Sequence, residues 1–192
     1  MHKVTNAAVI FFTGGDPLRI TSQIGNTPTF QCLRARYRDG ATIAGTSAGA
    51  AAMPETMLIA GASDASYQID ALSMAPGLAL IQDVVIDTHF AERGRIGRLL
   101  GAVAQNPRNL GLGIDEDTAV VVDGGTRFQV LGSGAVYVLD GGAITYTSPA
   151  ERHPAGIVSI DDVSLHVLGE HDCFDLISRR PVRHVEEAAQ GL

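Results

Sequence analysis

The sequence predicts an α/β fold whose last third turns antiparallel, and three observations carry that expectation. Short continuous apolar runs, at residues 7–12 and 84–87, alternate with helical patterns, the rhythm of buried parallel strands joined by helices. The stretch Gly40-Ala41-Thr42-Ile43-Ala44-Gly45 reads as a buried strand running straight into a sharp turn and an Ala-rich helix start. From Ala119 onward, short strands follow one another across glycine turns, which is hairpin rhythm.

Composition narrows the class. The 192 residues suffice for one α/β domain with a proper core and not clearly for two. A net charge of −7 argues against nucleic acid as a partner and leaves no basic tail for a membrane surface. No apolar run reaches transmembrane length, and Met1-His2-Lys3-Val4-Thr5 is expected to lead into a strand rather than a signal segment. Cys32 and Cys173 are widely spaced and read as free thiols of a reducing, cytoplasmic compartment.

Taken in order, the first strand (7–12) ends in Thr13-Gly14-Gly15-Asp16-Pro17, a turn able to present backbone N–H groups to a site. Thr27-Pro28 opens a helix through Arg38, with Pro near N1, and Asp39-Gly40 ends it. The next turn, Gly45-Thr46-Ser47-Ala48-Gly49, fits the G-x-S-x-G nucleophile elbow. There a serine sits strained between strand and helix, and small neighbours let the backbones approach. An apolar segment at 57–61 is followed by a polar loop at 62–67 that would border a cleft. The strand 84–87 runs into Thr88-His89-Phe90, then a helix expected over 91–105 and stopped by Asn106-Pro107. A short strand at 110–115 closes on Asp115-Glu116-Asp117-Thr118. Strands are expected at 119–123, 127–131, 135–139, 143–147, 157–160 and 164–168, and the tail at 185–192 is expected to fray.

A serine nucleophile needs a base, and the base needs an orienting acid. Sites in parallel α/β sheets form beyond the carboxyl ends of strands. His89 follows an apolar strand as Ser47 does, whereas His2 lies at the wrong strand end and His153, His166 and His184 sit in loop, mid-strand or tail surroundings. His171 is the competitor, because it gives the Ser…Asp/Glu…His order of the α/β-hydrolases. His89 is favoured. For the acid, spacing leaves Asp87, Asp115, Glu116 and Asp117 open, since runs of acids are commonly turns or caps. Arg93, Arg95 and Arg98 stand out in an acidic chain, and a guanidinium fork matches a carboxylate. On an ideal helix Arg95 and Arg98 lie roughly 60° apart and Arg93 nearly opposite Arg95, so one three-arginine face requires an irregular first turn.

Four segments together carry a resemblance: Phe11-Phe12-Thr13-Gly14-Gly15-Asp16, Ala44-Gly45-Thr46-Ser47-Ala48-Gly49-Ala50, Asp87-Thr88-His89-Phe90 with Arg93, Arg95 and Arg98, and Gly113-Ile114-Asp115-Glu116-Asp117-Thr118-Ala119. In that order they resemble the cyanophycinase family of serine exopeptidases, related to the aspartyl dipeptidases, over nearly the whole chain. The resemblance implies a class I glutamine-amidotransferase-like (flavodoxin-like) α/β fold, with a mostly parallel sheet and helices on both faces. It implies Ser47 as nucleophile, His89 as base and Glu116 as orienting acid. It implies an oxyanion hole from Ala48 and the Gly14-Gly15 turn, and a substrate pocket shaped by Asp16, Asp87, Thr88, Arg93, Arg95 and Arg98.

The implied substrate is an aspartyl- and arginine-containing peptide such as cyanophycin, an aspartate backbone bearing β-linked arginines, released as β-Asp-Arg. No metal or cofactor is implied. The family usually has Gln where this chain has Pro17 and Thr88, both expected to line the substrate pocket. It also has further N-terminal βα units, so residues 1–192 are expected to form a single, N-terminally shortened domain. A homodimer or a complementing chain would then cover the open sheet edge. The alternative is a non-catalytic homologue that binds a peptide or partner subunit. An esterase or amidase reading would need His171 beside Ser47, and a glutamine amidotransferase would carry cysteine at the elbow.

Overall fold

The computed structural model describes residues 2–60, 72–148 and 157–182. A helical turn, α1 (His2–Thr5), stands where an entry into a strand is expected, and β1 (Val9–Phe12) follows it. The sequence reading of 13–17 as a plain turn overlooks α2 (Pro17–Ile24), although its start is encoded there. Asp16 accepts from the Leu18 N–H at 2.9 Å and Pro17 occupies the first turn. Helix α3 (Pro28–Arg38) has the expected bounds, with the Thr27 hydroxyl accepting from the Phe30 N–H. β2 (Thr42–Gly45) and the single turn α4 (Ala48–Ala51) flank Ser47.

β1 and β2 pair in parallel with Phe12 opposite Gly45, so the 13–15 turn and Ser47 leave the same sheet edge. The expectation of a fully buried first strand does not hold: Val9 is 61% and Phe11 58% exposed. The reason is topological, since β1 has β2 as its one strand partner among the described residues, and one face of this ribbon is uncovered.

β3 (Thr56–Ala60) and β4 (Ser73–Pro76) form an antiparallel pair. β5 (Val84–Thr88) is followed by a run of turns at 91–95 and by α5 (Ile96–Gln105). The helix therefore starts later than expected, because Gly94 adopts φ 58° and interrupts helical geometry. β6 (Leu110–Ile114) pairs in parallel with β5, Thr88 facing Ile114. Beyond it run β7 (Thr118–Asp123), β8 (Arg127–Gly132), β9 (Val136–Asp140), β10 (Tyr146–Thr147), β11 (Ile160–Asp161), β12 (Ser164–Leu168), β13 (Cys173–Asp175) and β14 (Arg180–Val182). The expected strands at 143–147 and 157–160 shrink to the β10–β11 pair.

Two four-stranded sheets result, in the orders β12-β9-β6-β5 and β14-β13-β8-β7. The fold is mixed α/β, but among the described strands parallel pairing is confined to β1–β2 and β5–β6. Side-chain alternation along β5 shows how the first sheet is covered. Val84 and Ile86 join Leu112, Val138, Phe128, Val130 and Phe174 in a core shared with the second sheet. Val85 points the other way, into a core with Leu99, Val103 and Phe90 on the α5 side. One face thus carries a helix and the other an antiparallel sheet, where helices on both faces are expected. This double burial fixes the carboxyl ends of β5 and β6.

Candidate active site

The elbow forms because nothing larger than hydrogen fits at its two glycines. A Cβ on Gly45 would lie 2.7 Å from the Gly49 carbonyl, and one on Gly49 would lie 2.3 Å from the Phe12 oxygen. β2, α4 and β1 therefore close tightly around Ser47, whose φ of 52° and ψ of −119° are strained for a residue with a side chain. The Thr46 N–H donates to Phe12 O at 3.1 Å, and Ser47 O accepts from Ala50 and Ala51 as the turn of helix begins. The Gly14-Gly15 turn lies alongside, since a Cβ on Gly14 would sit 3.4 Å from Ser47 Cβ and 3.9 Å from its Oγ.

His89 follows β5, also at positive φ (53°). Its Nε2 is 3.0 Å from Ser47 Oγ, and its Nδ1 is 2.8 Å from Glu116 Oε1. A carboxylate only accepts, so this geometry puts the proton on Nδ1 and leaves Nε2 to accept from the serine hydroxyl. The imidazole is 26% exposed and the Glu116 side chain 53% exposed, so the acid stands at the rim.

The three neighbouring acids have separate tasks. Asp115 accepts from the Ala91 N–H (2.9 Å) through one oxygen and the Ala135 N–H (3.1 Å) through the other, tying the His89 loop to the start of β9. Glu116 reaches His89, while its own N–H donates to Glu92 Oε1 at 3.1 Å. Asp117 turns the chain at φ 51°, its carbonyl accepting from Ser133. Spacing alone leaves the choice among them open while the resemblance implies Glu116, and neither gives a role to Glu92 or Tyr137. The Tyr137 ring lies 5.0 Å from that of Phe90, and burial raises its hydroxyl pKa, with Asp115 and Glu92 adding to the effect.

Beneath His89 lies a buried ionic cluster. Asp87, 1% exposed, meets Arg95 Nη1 at 2.9 Å and Arg98 Nη2 at 3.0 Å through Oδ1, and Arg98 Nε at 2.9 Å through Oδ2. Burial holds its carboxyl above the usual range, outweighing the pull of Arg98 and Arg95 in the other direction. Burial likewise lowers Arg95, against the raising influence of Asp87. Thr88 contributes its backbone, the N–H to Asp87 Oδ1 and the C=O to Arg95. Arg93 is exposed, and its N–H donates to His89 O. Asp16 is engaged as the α2 cap.

His166 and His171 lie elsewhere. His166 packs against Phe174, and His171 turns between β12 and β13 with its N–H on Val130 O. His153, His184, the polar loop at 62–67 and the tail at 185–192 fall outside the described residues. Among the described residues, no group of three or more His, Cys, Asp or Glu side chains is placed to hold a metal ion.

The profile of peptidase family S51 matches residues 1–130. The chain belongs to peptidase family S51. Among curated relatives, the cyanophycinase of Geminocystis herdmanii is 37% identical over 185 residues, covering 96% of this chain and 68% of that protein. The cyanophycinase of Trichormus variabilis is 41% identical over 171 residues, covering 88% and 57%, and that of Synechococcus elongatus is 36% identical, covering 92% and 55%. The chain thus spans between 55% and 68% of the length of these S51 relatives. The S51 match includes β1, the elbow, β5 with His89 and β6 with Glu116, so every side chain of the hydrogen-bonded chain from Ser47 to Glu116 lies inside it.

Proposed function

We propose that this chain is a serine peptidase that hydrolyses aspartyl or isoaspartyl peptide bonds in a cyanophycin-like substrate, working through Ser47, His89 and Glu116. The observation that carries the reading is the continuous hydrogen-bonded run Ser47 Oγ–His89 Nε2 and His89 Nδ1–Glu116 Oε1, at 3.0 and 2.8 Å. As Oγ attacks the scissile carbonyl, His89 Nε2 takes the hydroxyl proton and Glu116 stabilises the imidazolium that forms. Charge on the carbonyl oxygen is met by the Ala48 N–H and by the Gly14-Gly15 turn against Ser47. Collapse gives an acyl-enzyme on Ser47 as His89 returns the proton to the leaving amine. Water, deprotonated by the same imidazole, then releases the aspartyl product.

The relatives' name, cyanophycinase, supports a substrate built of aspartate and arginine. Exposed Arg93 near His89 is suited to a substrate carboxylate, and the acidic rim of Glu92 and Glu116 to an arginine side chain. Parallel β1–β2 and β5–β6, with all three working side chains beyond their carboxyl ends, support a class I glutamine-amidotransferase-like arrangement. The core shared by both four-stranded sheets supports a single domain. The uncovered Val9 and Phe11 face supports the expectation of a second copy packed there. No helix among the described residues is long and apolar enough to cross a membrane.

The test is incubation of the purified chain with cyanophycin and with β-Asp-Arg peptides, wild type beside Ser47→Ala. Dipeptide release should fall to background in the variant. Release that survives the substitution overturns the mechanism, and a wild-type chain that binds but never cleaves identifies the non-catalytic alternative.

A further inference from the structure

Resting on that reading, we propose that Asp87, Arg95 and Arg98 act as a buried positioning device for His89, gripping the Thr88–His89 peptide so that the imidazole stays aimed at Ser47. The torsion φ of His89 begins at the Thr88 carbonyl carbon, so whatever holds that carbonyl sets the direction in which the His89 side chain leaves the backbone. Arg95 Nη1 donates to the Thr88 oxygen at 2.6 Å and to Asp87 Oδ1 at 2.9 Å from the same nitrogen. The other side of Thr88 is held too, its N–H donating to Asp87 Oδ1 at 3.1 Å. Arg98, from the first turn of α5, squares the carboxylate through both of its oxygens.

His89 needs such a grip. Its φ of 53° is a conformation that a β-carbon disfavours, and the unconstrained peptide would relax out of it. Downstream, the Arg93 N–H on His89 O and the Phe90 N–H on Ile114 O hold the following peptides, so the arginine cluster supplies the missing upstream restraint. Burial separates this role from substrate contact. The side chains of Arg95 and Arg98 are 15% and 10% exposed and turn toward a carboxylate that is 1% exposed, whereas Arg93 is open to solvent. Of the three arginines, the pair facing Asp87 belongs to the scaffold of the base.

The experiment measures the rate at which diisopropyl fluorophosphate labels Ser47 in the full chain, beside kcat and KM on a β-Asp-Arg peptide. The reagent has no carboxylate, so it senses the Ser47–His89 geometry but not carboxylate recognition. In labelling, the Oγ–P bond forms, fluoride leaves and His89 takes the serine proton. Arg95→Ala should slow labelling and kcat together by about 10- to 100-fold, the cost of a base misplaced by a fraction of an ångström to an ångström. KM should stay nearly constant, and added methylguanidinium should restore part of both rates.

Asp87→Asn and Arg95→Lys provide second variants should the alanine chain fail to fold, each expected to slow labelling in proportion to kcat. Unchanged labelling with a raised KM overturns the proposal in favour of substrate contact. Slowed labelling that tracks the unfolded fraction by circular dichroism, without guanidinium rescue, overturns it in favour of bulk stability. Failure of the parent reading looks different: wild-type Ser47 would then resist the reagent.

Discussion

Replacing Glu116 with Gln should weaken catalysis less than the loss of a triad acid does in a buried protease site. The substitution preserves length and an acceptor for His89 Nδ1–H, and removes only the charge that meets the forming imidazolium. With Oε1 2.8 Å from Nδ1, the charge centres lie about 4 Å apart, a separation worth about 1 kcal/mol in water and about 4 kcal/mol at an effective dielectric near 20. Glu116 is 53% and His89 26% exposed, which sets the pair toward the watery limit. A loss of about 1–3 kcal/mol follows, or about 5- to 150-fold in kcat/KM. By contrast, neutralising the buried acid of a chymotrypsin-type triad costs about 10⁴-fold. The assay is kcat/KM on a β-Asp-Arg peptide for wild type and Glu116→Gln, at low and high salt, and the difference should narrow as salt screens the exposed pair. A loss near 10⁴-fold that is insensitive to salt would refute this reasoning, because the acid would then be desolvated when it works. No loss at all would mean that His89 gains no charge in the rate-determining step.

Gly49→Ala should destabilise the fold and disable the elbow together. Its Cβ would lie 2.3 Å from Phe12 O and 2.8 Å from Phe12 C, both backbone, so β1 and α4 must part. Overpacking of this kind costs about 1–3 kcal/mol, which for a chain of this size lowers Tm by about 2–12 °C. An unchanged melting curve would show that the elbow relaxes at no cost. Asp175 gives the pH prediction. Its carboxylate accepts from the Ser178 N–H and hydroxyl and from the Ile177 N–H, and these bonds hold its pKa below the ordinary aspartate range. A depressed acid stabilises the native state above the unfolded pKa and loses that contribution as pH falls through the folded one. The unfolding free-energy difference between wild type and Asp175→Asn should therefore be level near neutrality and shrink on acidification. A difference that widens in acid would contradict the assignment.

What could be read from the chain was what a few adjacent residues determine. Ser47 is legible because the elbow's requirement for small residues is local, and α3 because Thr27 and Pro28 cap it within one turn. His89 is legible because it directly follows an apolar strand. The division of labour among Asp115, Glu116 and Asp117 is not, because Asp115 is claimed by the Ala135 N–H across twenty residues of chain and two intervening strands. Arg95 and Arg98 are legible as carboxylate binders, but the carboxylate they bind is not. A helical wheel from residue 91 assumes helix where Gly94 enforces a turn, so their shared aim at Asp87 emerges only from the folded loop. The exposure of Val9 and Phe11 was hidden because an apolar run reports that a strand seeks cover, not whether the described chain supplies it.

Three of the described non-glycine residues at positive φ lie at the candidate site, the others being Asn26, Ala79, Asp83, Asp162, His171 and Arg179. Ser47 and His89 stand two residues and one residue past the ends of β2 and β5, and Asp117 directly follows the candidate acid Glu116. Each such residue costs of order 1–3 kcal/mol unless its surroundings over-determine it. Here they do: glycine contacts close the elbow, the ion-paired Asp87 and Arg95 hold the peptide before His89, and Asp115 with Gly132 encloses the Glu116 turn, a Cβ on Gly132 falling 2.1 Å from Asp117 O. The opposing stability comes from the doubly covered β5–β6 pair, whose side chains are almost wholly buried. The rigid pair and the strained loops are therefore one construction. Loosening the core at Val85 or Leu112 should be felt as misdirection of His89 before it is felt as unfolding, because His89 and Glu116 hang from the ends of these two strands.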